Sequence, residues 1–226
     1  MRTLTAVIDF SARSGALGSL GVQRIGVASE RHLAIVDARL DNRRELSSLL
    51  GMEPPSPAND EQLILAAYAR WGESCPKHLL GDFRFAIWDV DRHQLFCACD
   101  PLSVRSLFWA RRGQSLWLAS EARLILAETT IPATLDDHTV ADYLVGLTQD
   151  PSRTFFRDVH RLPAGHFMVV TKFGQRQESY WDLAGSRTIR YRHKEQYAEH
   201  LREILDRAVE DRSRTAAPTI ASPRQA

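Results

Sequence analysis

The sequence has few cysteines, no long apolar run and almost no net charge. Its three cysteines, Cys75, Cys97 and Cys99, are too few and odd in number for the disulfide framework of a secreted scaffold. No apolar run approaches the roughly 20 residues that cross a bilayer, and the N-terminal stretch does not resemble a signal peptide. We therefore expect a cytoplasmic protein with no membrane partner.

The charge balance and the distribution of glycine exclude two further classes of function. With 29 basic and 28 acidic residues, the formal net charge is +1, whereas nucleic-acid-binding surfaces carry a strong positive excess. No glycine-rich loop that could cradle a phosphate is present, and residues 215–226 contain no glycine at all. We expect no nucleic-acid partner and no cofactor bound by this chain.

The 226 residues, 44 % of them hydrophobic, can bury a core without disulfides or metal. A helix is predicted after Asn59 or Asp60, either of which can cap it, and Gly72 ends it. Shorter helices are predicted over 121–127 and 136–145, and an amphipathic helix over 194–212. Residues 11–21, rich in Gly, Ser and Ala, are predicted as a loop, and 52–58, with three prolines, as irregular.

Strands are predicted between these helices. A short apolar run over 32–37 is typical of a buried strand, and Phe83, Phe85 and Ile87 alternate with residues that are themselves largely apolar. Residues 94–99 form the next strand, 111–114 a hairpin turn, and 166–171 with 177–181 a last hairpin. Because these strands are apolar on both faces, both faces of the sheet must be covered by another sheet or by helices. The residues alone predict an α+β fold of antiparallel hairpins under helices.

The cysteines and one histidine form a candidate metal or redox site. Cys97 and Cys99 lie two apart on a strand, so both thiols point to one face, where Cys75 or His93 could complete a metal or redox site. The alternative is a buried core pair, which we favour because free cysteine is among the most buried residue types and no ligand spacing typical of zinc is present. The sequence therefore predicts no metal site.

Several ordered motifs resemble the glutaminase domain of the asparagine synthetase family. Residues 81–89 (GDFRFAIWD) are similar to the pattern G-x-F-A-F-A-[IL]-[WY]-D, and 99–109 (CDPLSVRSLFW) to R-D-x-x-G-x-[RK]-P-L-[YF]-[YW]. Residues 119–126 (ASEARLIL) resemble A-S-E-x-K-A-L-L. Residues 59–65 (NDEQLIL) resemble a helix start S-D-x-E-x-I-L, and 161–166 and 179–182 the late P-P-G-H and Y-W-D signatures. The resemblance covers about 36–212.

This resemblance implies an N-terminal-nucleophile fold, a four-layer αββα sandwich of two antiparallel sheets, shortened here at its N-terminus. It divides the chain into a degenerate glutamine amidotransferase type 2 domain at 1–190, the first helix of an ATP-binding synthetase domain at 191–214 and an irregular tail at 215–226. The family couples glutamine hydrolysis to ATP-dependent amide formation. ATP and Mg²⁺ are thus implied for a synthetase half that is absent from this chain, through truncation or through a split system.

The nucleophile of the family is absent from its expected position. The family begins Met-Cys, and its N-terminal thiolate attacks the side-chain amide of glutamine. Arg2 stands there in this sequence, and a guanidinium is neither a nucleophile nor a base. No catalytic residue is therefore assigned, and we expect no glutaminase activity from this chain.

The glutamine pocket is also degenerate. Asp37 and Ala38 occupy the positions of the family's oxyanion-hole Asn and Gly, and a carboxylate beside a developing oxyanion repels it. Two residues of the pattern survive: Asn42, and Asp60 at the position of the aspartate that holds the glutamine ammonium. Asp60 either binds substrate or caps the helix, and we favour the capping interpretation because the other pocket groups are missing.

Residues 37–46 (DARLDNRREL) also resemble the asparagine-synthetase-like cyclases of lasso-peptide biosynthesis, which lack the cysteine. The first domain of those cyclases is a structural or docking module. Three hypotheses follow: a non-catalytic amidotransferase-like module, an active asparagine synthase whose true start lies upstream, and a docking subunit for a peptide-modifying cyclase. The partner is an ATP-binding synthetase half in the first case and a precursor peptide in the third, and glutamine is a substrate only in the second.

Overall fold

The computed structural model describes residues 4–10, 16–18, 31–52, 59–128, 131–147, 150–183 and 188–213. The chain divides into two compact units, Met1–Asp182 and Leu183–Ala226. Two stretches with sequence predictions, 53–58 and 214–226, lie outside the described residues, as does Arg2.

The first unit carries all the described strands. In chain order they are β1 (Thr5–Asp9), β2 (Ala16–Gly18), β3 (His32–Leu40), β4 (Gly81–Asp89), β5 (Gln94–Cys99), β6 (Phe108–Arg112), β7 (Ser115–Ala119), β8 (His160–Arg161), β9 (His166–Thr171) and β10 (Gly174–Ser179). The helices of this unit are α1 (Arg43–Leu50), α2 (Asp60–Trp71), a 3-10 helix (Gly72–His78), α3 (Ala122–Glu128) and α4 (Asp137–Leu144).

These strands form two five-stranded sheets in which the pairs are antiparallel. One sheet has the order β2-β1-β7-β6-β8 and the other the order β10-β9-β5-β4-β3. The sequence prediction of an α+β fold with two antiparallel sheets is confirmed.

Three apolar clusters place the sheets and helices in four layers. The side chains of Phe83, Phe85 and Ile87 pack with those of α1 and α2 on the outer face of the second sheet. On its inner face Ala86 and Trp88 pack with Leu116 and other residues of the first sheet. The outer face of the first sheet packs under α3. The apolar residues on both faces of β4 are explained by this arrangement, because one face meets helices and the other meets a sheet.

The predicted start and end of α2 are confirmed. The Asn59 side chain accepts a hydrogen bond from the Gln62 backbone N–H at 2.9 Å, and the Gln62 side chain accepts one from the Asn59 backbone N–H at 3.2 Å. This reciprocal pair is a capping box, and it satisfies donors that the first helical turn cannot pair internally. Asn59 is therefore the cap, and Asp60 is the first helical residue.

Two secondary-structure predictions need correction. Residues 11–21 were predicted as a loop, but Ala16–Gly18 is a strand because it pairs with β1. The second strand of the last hairpin was predicted at 177–181, whereas β10 spans Gly174–Ser179 because its register follows from the tight turn after Thr171. The pairing of Ala16–Gly18 with β1 and the turn before β10 determine these strands, and the local sequence, which is poor in apolar residues, does not.

The second unit consists mainly of helix α5 (Lys194–Ser213), as predicted. Tyr191, just before the helix, contacts the Tyr197 ring edge-on at 4.9 Å between ring centroids, and its hydroxyl lies 2.6 Å from His200 Nδ1. The predicted apolar stripe is present but exposed, with Leu201, Ile204 and Leu205 each more than half accessible. None of the described helices is long and apolar enough to span a bilayer.

Candidate functional site

Asp37 and Arg84 face each other across two neighbouring strands. They are directly paired in the antiparallel register of β3 and β4. Side chains alternate between the faces of a strand, so Asp37 shares a face with Ile35, and Arg84 shares one with Ala86. Ile35 and Ala86 belong to the core between the two sheets. Both charged side chains are therefore directed to the space between the sheets.

Two guanidinium groups bind the Asp37 carboxylate. Arg84 Nη2 donates to Asp37 Oδ2 at 2.8 Å, and Arg105 Nη1 donates to Asp37 Oδ1 at 2.5 Å. Arg84 also donates from Nη1 to the Ser106 carbonyl oxygen at 2.8 Å. The Arg84 side chain is 1 % exposed, that of Asp37 6 % and that of Arg105 23 %. Each carboxylate oxygen of Asp37 thus accepts a charge-assisted hydrogen bond in a largely buried setting.

Burial and charge act on Arg84 in opposite directions. Burial lowers the pKa of the guanidinium, and the neighbouring Asp37 carboxylate partly offsets this effect. A guanidinium remains protonated under any ordinary condition. Asp37 is consequently held between two permanent cations.

The loop between β5 and β6 positions Arg105. The buried Asp100 carboxylate accepts hydrogen bonds from the backbone N–H groups of Leu102, Val104 and Arg105, each at 3.0 Å. Ser103, at the tip of this loop, has a φ of 51°, a left-handed conformation for which glycine is the usual choice. Asp100 therefore fixes the backbone from which Arg105 reaches Asp37.

Asn42 is engaged in backbone contacts of its own. Its side-chain N–H donates to the His78 carbonyl oxygen at 3.0 Å, and its side-chain oxygen accepts from the Leu80 backbone N–H at 3.0 Å. The amide thus ties the end of β3 to the turn that leads into β4. Ala38, next to Asp37, is half-buried and packs against the core beneath the helices.

Asp60 is turned toward the end of β3. Arg43 Nε lies 3.2 Å from Asp60 Oδ1, and the Leu40 backbone N–H hydrogen-bonds to the same carboxylate. Burial raises the pKa of Asp60, while Arg43 counteracts the increase. The capping role that we favoured for Asp60 is performed by Asn59. The Asp60 carboxylate instead contacts the Arg43 guanidinium and the Leu40 backbone N–H of β3.

Of the pocket residues predicted from sequence, Asp37 and Ala38 are adjacent on β3, whereas Asn42 and Asp60 are bound to neighbours of their own. The two arginines that complete the cluster, Arg84 and Arg105, were not predicted. Arg84 gave a usable signal, because it interrupts a strand that is apolar on both faces. A buried cation requires a buried anion.

The cysteines form no site with the described acidic and histidine residues. Cys75, Cys97 and Cys99 are fully buried and free, so the buried-core interpretation is confirmed. Cys99 Sγ donates to the Pro163 carbonyl oxygen at 3.0 Å. In the described part of the chain no group of three His, Cys, Asp or Glu residues could hold a metal ion.

Native-state alkylation tests this burial. Iodoacetamide at about pH 8, close to the ordinary thiol pKa, is expected to leave all three cysteines unmodified in the folded protein. The reactive species is the thiolate, and burial raises the pKa of each thiol, that of Cys99 to about 12. Intact mass spectrometry should show three adducts in denaturant and none without it. An adduct on native protein that forms as fast as in denaturant would contradict the buried placement.

Comparison with known proteins gives a family match over most of this unit. A model of the glutamine amidotransferase domain family matches residues 18–181. Asparagine synthetase [glutamine-hydrolyzing] 3 of Bacillus subtilis is 32 % identical over 126 residues, which is 55 % of this chain and 20 % of that protein. The amidase chyE of Penicillium rubens is 30 % identical over 169 residues, which is 71 % of this chain and 24 % of that protein.

The chain thus spans about a fifth to a quarter of the length of these two curated relatives. Among solved structures, the glutamine phosphoribosylpyrophosphate amidotransferase of B. subtilis aligns with a TM-score of 0.45 at 16 % identity. That alignment covers 69 % of this chain and 30 % of the other.

Proposed function

The chain belongs to the glutamine amidotransferase domain family, with asparagine synthetases among its relatives, and from that premise we propose that it acts without hydrolysing glutamine. Its role is that of a structural module of an ATP-dependent amide-forming enzyme. The half that binds ATP and Mg²⁺ is supplied by sequence outside this chain.

The observation that carries this proposal is the binding of Asp37 by Arg84 and Arg105. An oxyanion hole needs neutral or cationic donors aimed at the position where negative charge develops. Asp37 offers only acceptor oxygens, and both oxygens already accept guanidinium donors. Arg84 replaces the small alanine of the family pattern and fills buried space beside this position. These contacts do not involve the residue at which the mature chain begins.

The contacts of Asp60 support the same proposal. In the family this aspartate holds the ammonium group of glutamine. Here Arg43 Nε is 3.2 Å from the carboxylate, and the Leu40 N–H also binds it. The Arg43 guanidinium thus lies where the glutamine ammonium group would bind, and glutamine would have to displace it.

A second candidate function is a docking module for a peptide-cyclising ligase. It is favoured by residues 37–46, whose DARLDNRREL sequence resembles the cyclases that lack the N-terminal cysteine. Both candidates keep the fold and dispense with glutamine hydrolysis. They differ in the partner, which is a synthetase half in one case and a precursor peptide in the other.

Glutamine binding tests the proposal directly, because binding does not require the nucleophile. Titration calorimetry with L-glutamine at about 10 mM, roughly tenfold above the usual upper limit of KM, is expected to give no saturable heat. A glutamate-release assay on the same protein should not exceed the buffer rate, with an active class II amidotransferase as positive control. Glutamate release that a thiol reagent abolishes would overturn the proposal. Saturable glutamine binding would overturn the reason given for it, the occupied carboxylates of Asp37 and Asp60.

A further inference from the structure

A cleft lies beside the first sheet, on the side that carries α4. Its volume is about 330 Å³, within the range of small-molecule sites. It is lined by β6, α3, α4 and the segment that leads to β8. None of the residues of the Asp37 cluster lines it, so it is a separate feature of the molecule.

Aromatic rings form part of the apolar lining of the cleft, together with Ala122, Leu147 and Pro151. Phe108 of β6 lies on one side, and Tyr143 of α4 contacts Phe155 edge-on at 5.3 Å between ring centroids. Tyr143 is 69 % exposed and Phe155 42 % exposed, although both are large apolar groups. Rings held against each other but open to solvent can accept an apolar side chain at little conformational cost.

Four charged residues line the same cleft, and two of them satisfy each other. Arg153 Nε is 3.8 Å from Asp150 Oδ2, and Asp150 also accepts hydrogen bonds from the Ser152 N–H and hydroxyl. The other two are Arg161 and Asp142. Within the described residues neither of them forms an ion pair. One cation and one anion thus remain available to a ligand.

Two further details point to a polar ligand group. The Arg161 guanidinium lies over the Phe108 ring, 5.2 Å from its centroid, which fixes the cation at the wall of the cleft. Thr139 is another lining residue of the cleft, and its hydroxyl is buried without a hydrogen-bond partner in the described part of the chain. A buried hydroxyl without a partner is uncommon, and a bound ligand would explain it.

We propose that this cleft binds an α-amino acid with an apolar side chain. The carboxylate pairs with Arg161, the ammonium group with Asp142, and the side chain enters between Phe108, Tyr143 and Phe155. The Thr139 hydroxyl supplies a further hydrogen bond to the carboxylate. The lining charges sum to zero, which matches a zwitterion better than an ion of either sign. The site is additional to the proposed function and does not depend on it.

The test uses L-phenylalanine and two analogues that each lack one charge. Amide chemical shifts of residues 139–161 are expected to move with a Kd on the order of 1 mM or tighter. 3-Phenylpropionate, without the ammonium, and phenethylamine, without the carboxylate, should each bind about tenfold more weakly, because each loses one charge-assisted contact. Equal binding of either analogue, or no shift in this segment with L-phenylalanine, would overturn the proposal.

Matched variants identify the groups that bind. Arg161→Gln and Asp142→Asn are each expected to weaken L-phenylalanine binding about tenfold, and Thr139→Val by a smaller factor. Arg157→Gln is the control, because Arg157 is exposed on the same segment but does not line the cleft. All four variants should keep the native pattern of amide shifts away from the cleft. Unchanged binding in both charge variants would also overturn the proposal, whatever the outcome of the glutamine titration.

Discussion

Gly81→Ala is expected to destabilise the first unit by about 3 kcal/mol or more, or to prevent folding. Gly81 begins β4 with a φ of 141°, a conformation that residues with a Cβ rarely adopt. A Cβ at this position would overlap the Arg39 carbonyl oxygen and lie 2.9 Å from the Leu40 Cα. Both neighbours are backbone atoms of β3, so they cannot move without disrupting the pairing that holds Asp37 opposite Arg84.

Gly113→Ala is the matched control. Gly113 also has a positive φ, 59°, but no atom lies within 4 Å of the position that its Cβ would take. Alanine at this position is unfavourable only because its Cβ disfavours a positive φ, which costs about 1 kcal/mol of unfolding free energy. Urea denaturation followed by tryptophan fluorescence should separate the two variants by their midpoints. Equal losses would show that the approach of β3 to Gly81 is not tight.

The strands around Gly81 were predictable, and the way they pair was less so. Phe83, Phe85 and Ile87 alternate with apolar residues, and this pattern required cover on both faces. The structure provides helices on one face and the first sheet on the other. Strand β1, in contrast, joins β7 with Thr5 opposite Ala119. Such a pairing between distant residues leaves no mark in a local pattern, so neither β1 nor the sheet order was predicted.

The candidate site shows the same division. Position by position, the motif resemblance located Asp37, Ala38, Asn42 and Asp60. It treated the Asp37 carboxylate as a charge that repels a developing oxyanion, and it did not identify Arg84 and Arg105, which bind that carboxylate. The partners are 47 and 68 residues away in sequence, and only the β3–β4 register and the Asp100 loop bring them together. Charge balance in a buried cluster is a property of the folded chain, although the buried position of Arg84 signals that a partner must exist.

Arg84→Ala is expected to cost about 3–5 kcal/mol of unfolding free energy, because removal of one partner leaves a buried charge poorly compensated. Asp37 would keep only Arg105, and the Ser106 carbonyl oxygen would lose its donor. Asp37→Asn should also destabilise, since it removes the carboxylate to which the buried Arg84 guanidinium donates. Urea or guanidinium unfolding measures both losses.

The double variant Asp37→Asn with Arg84→Ala decides whether the two residues act as a pair. It returns both positions to the residue types of the amidotransferase pattern and removes both buried charges together. Its loss is expected to be smaller than the sum of the single losses by about 1–3 kcal/mol, the range found for residues in direct contact. Arg176→Ala is the control, because this arginine pairs with Glu73 and Glu178 at the surface and should cost less than about 1 kcal/mol. Additive losses would mean that Asp37 and Arg84 are not coupled. In that case charge pairing with Arg84 would no longer explain a carboxylate where the family has an amide.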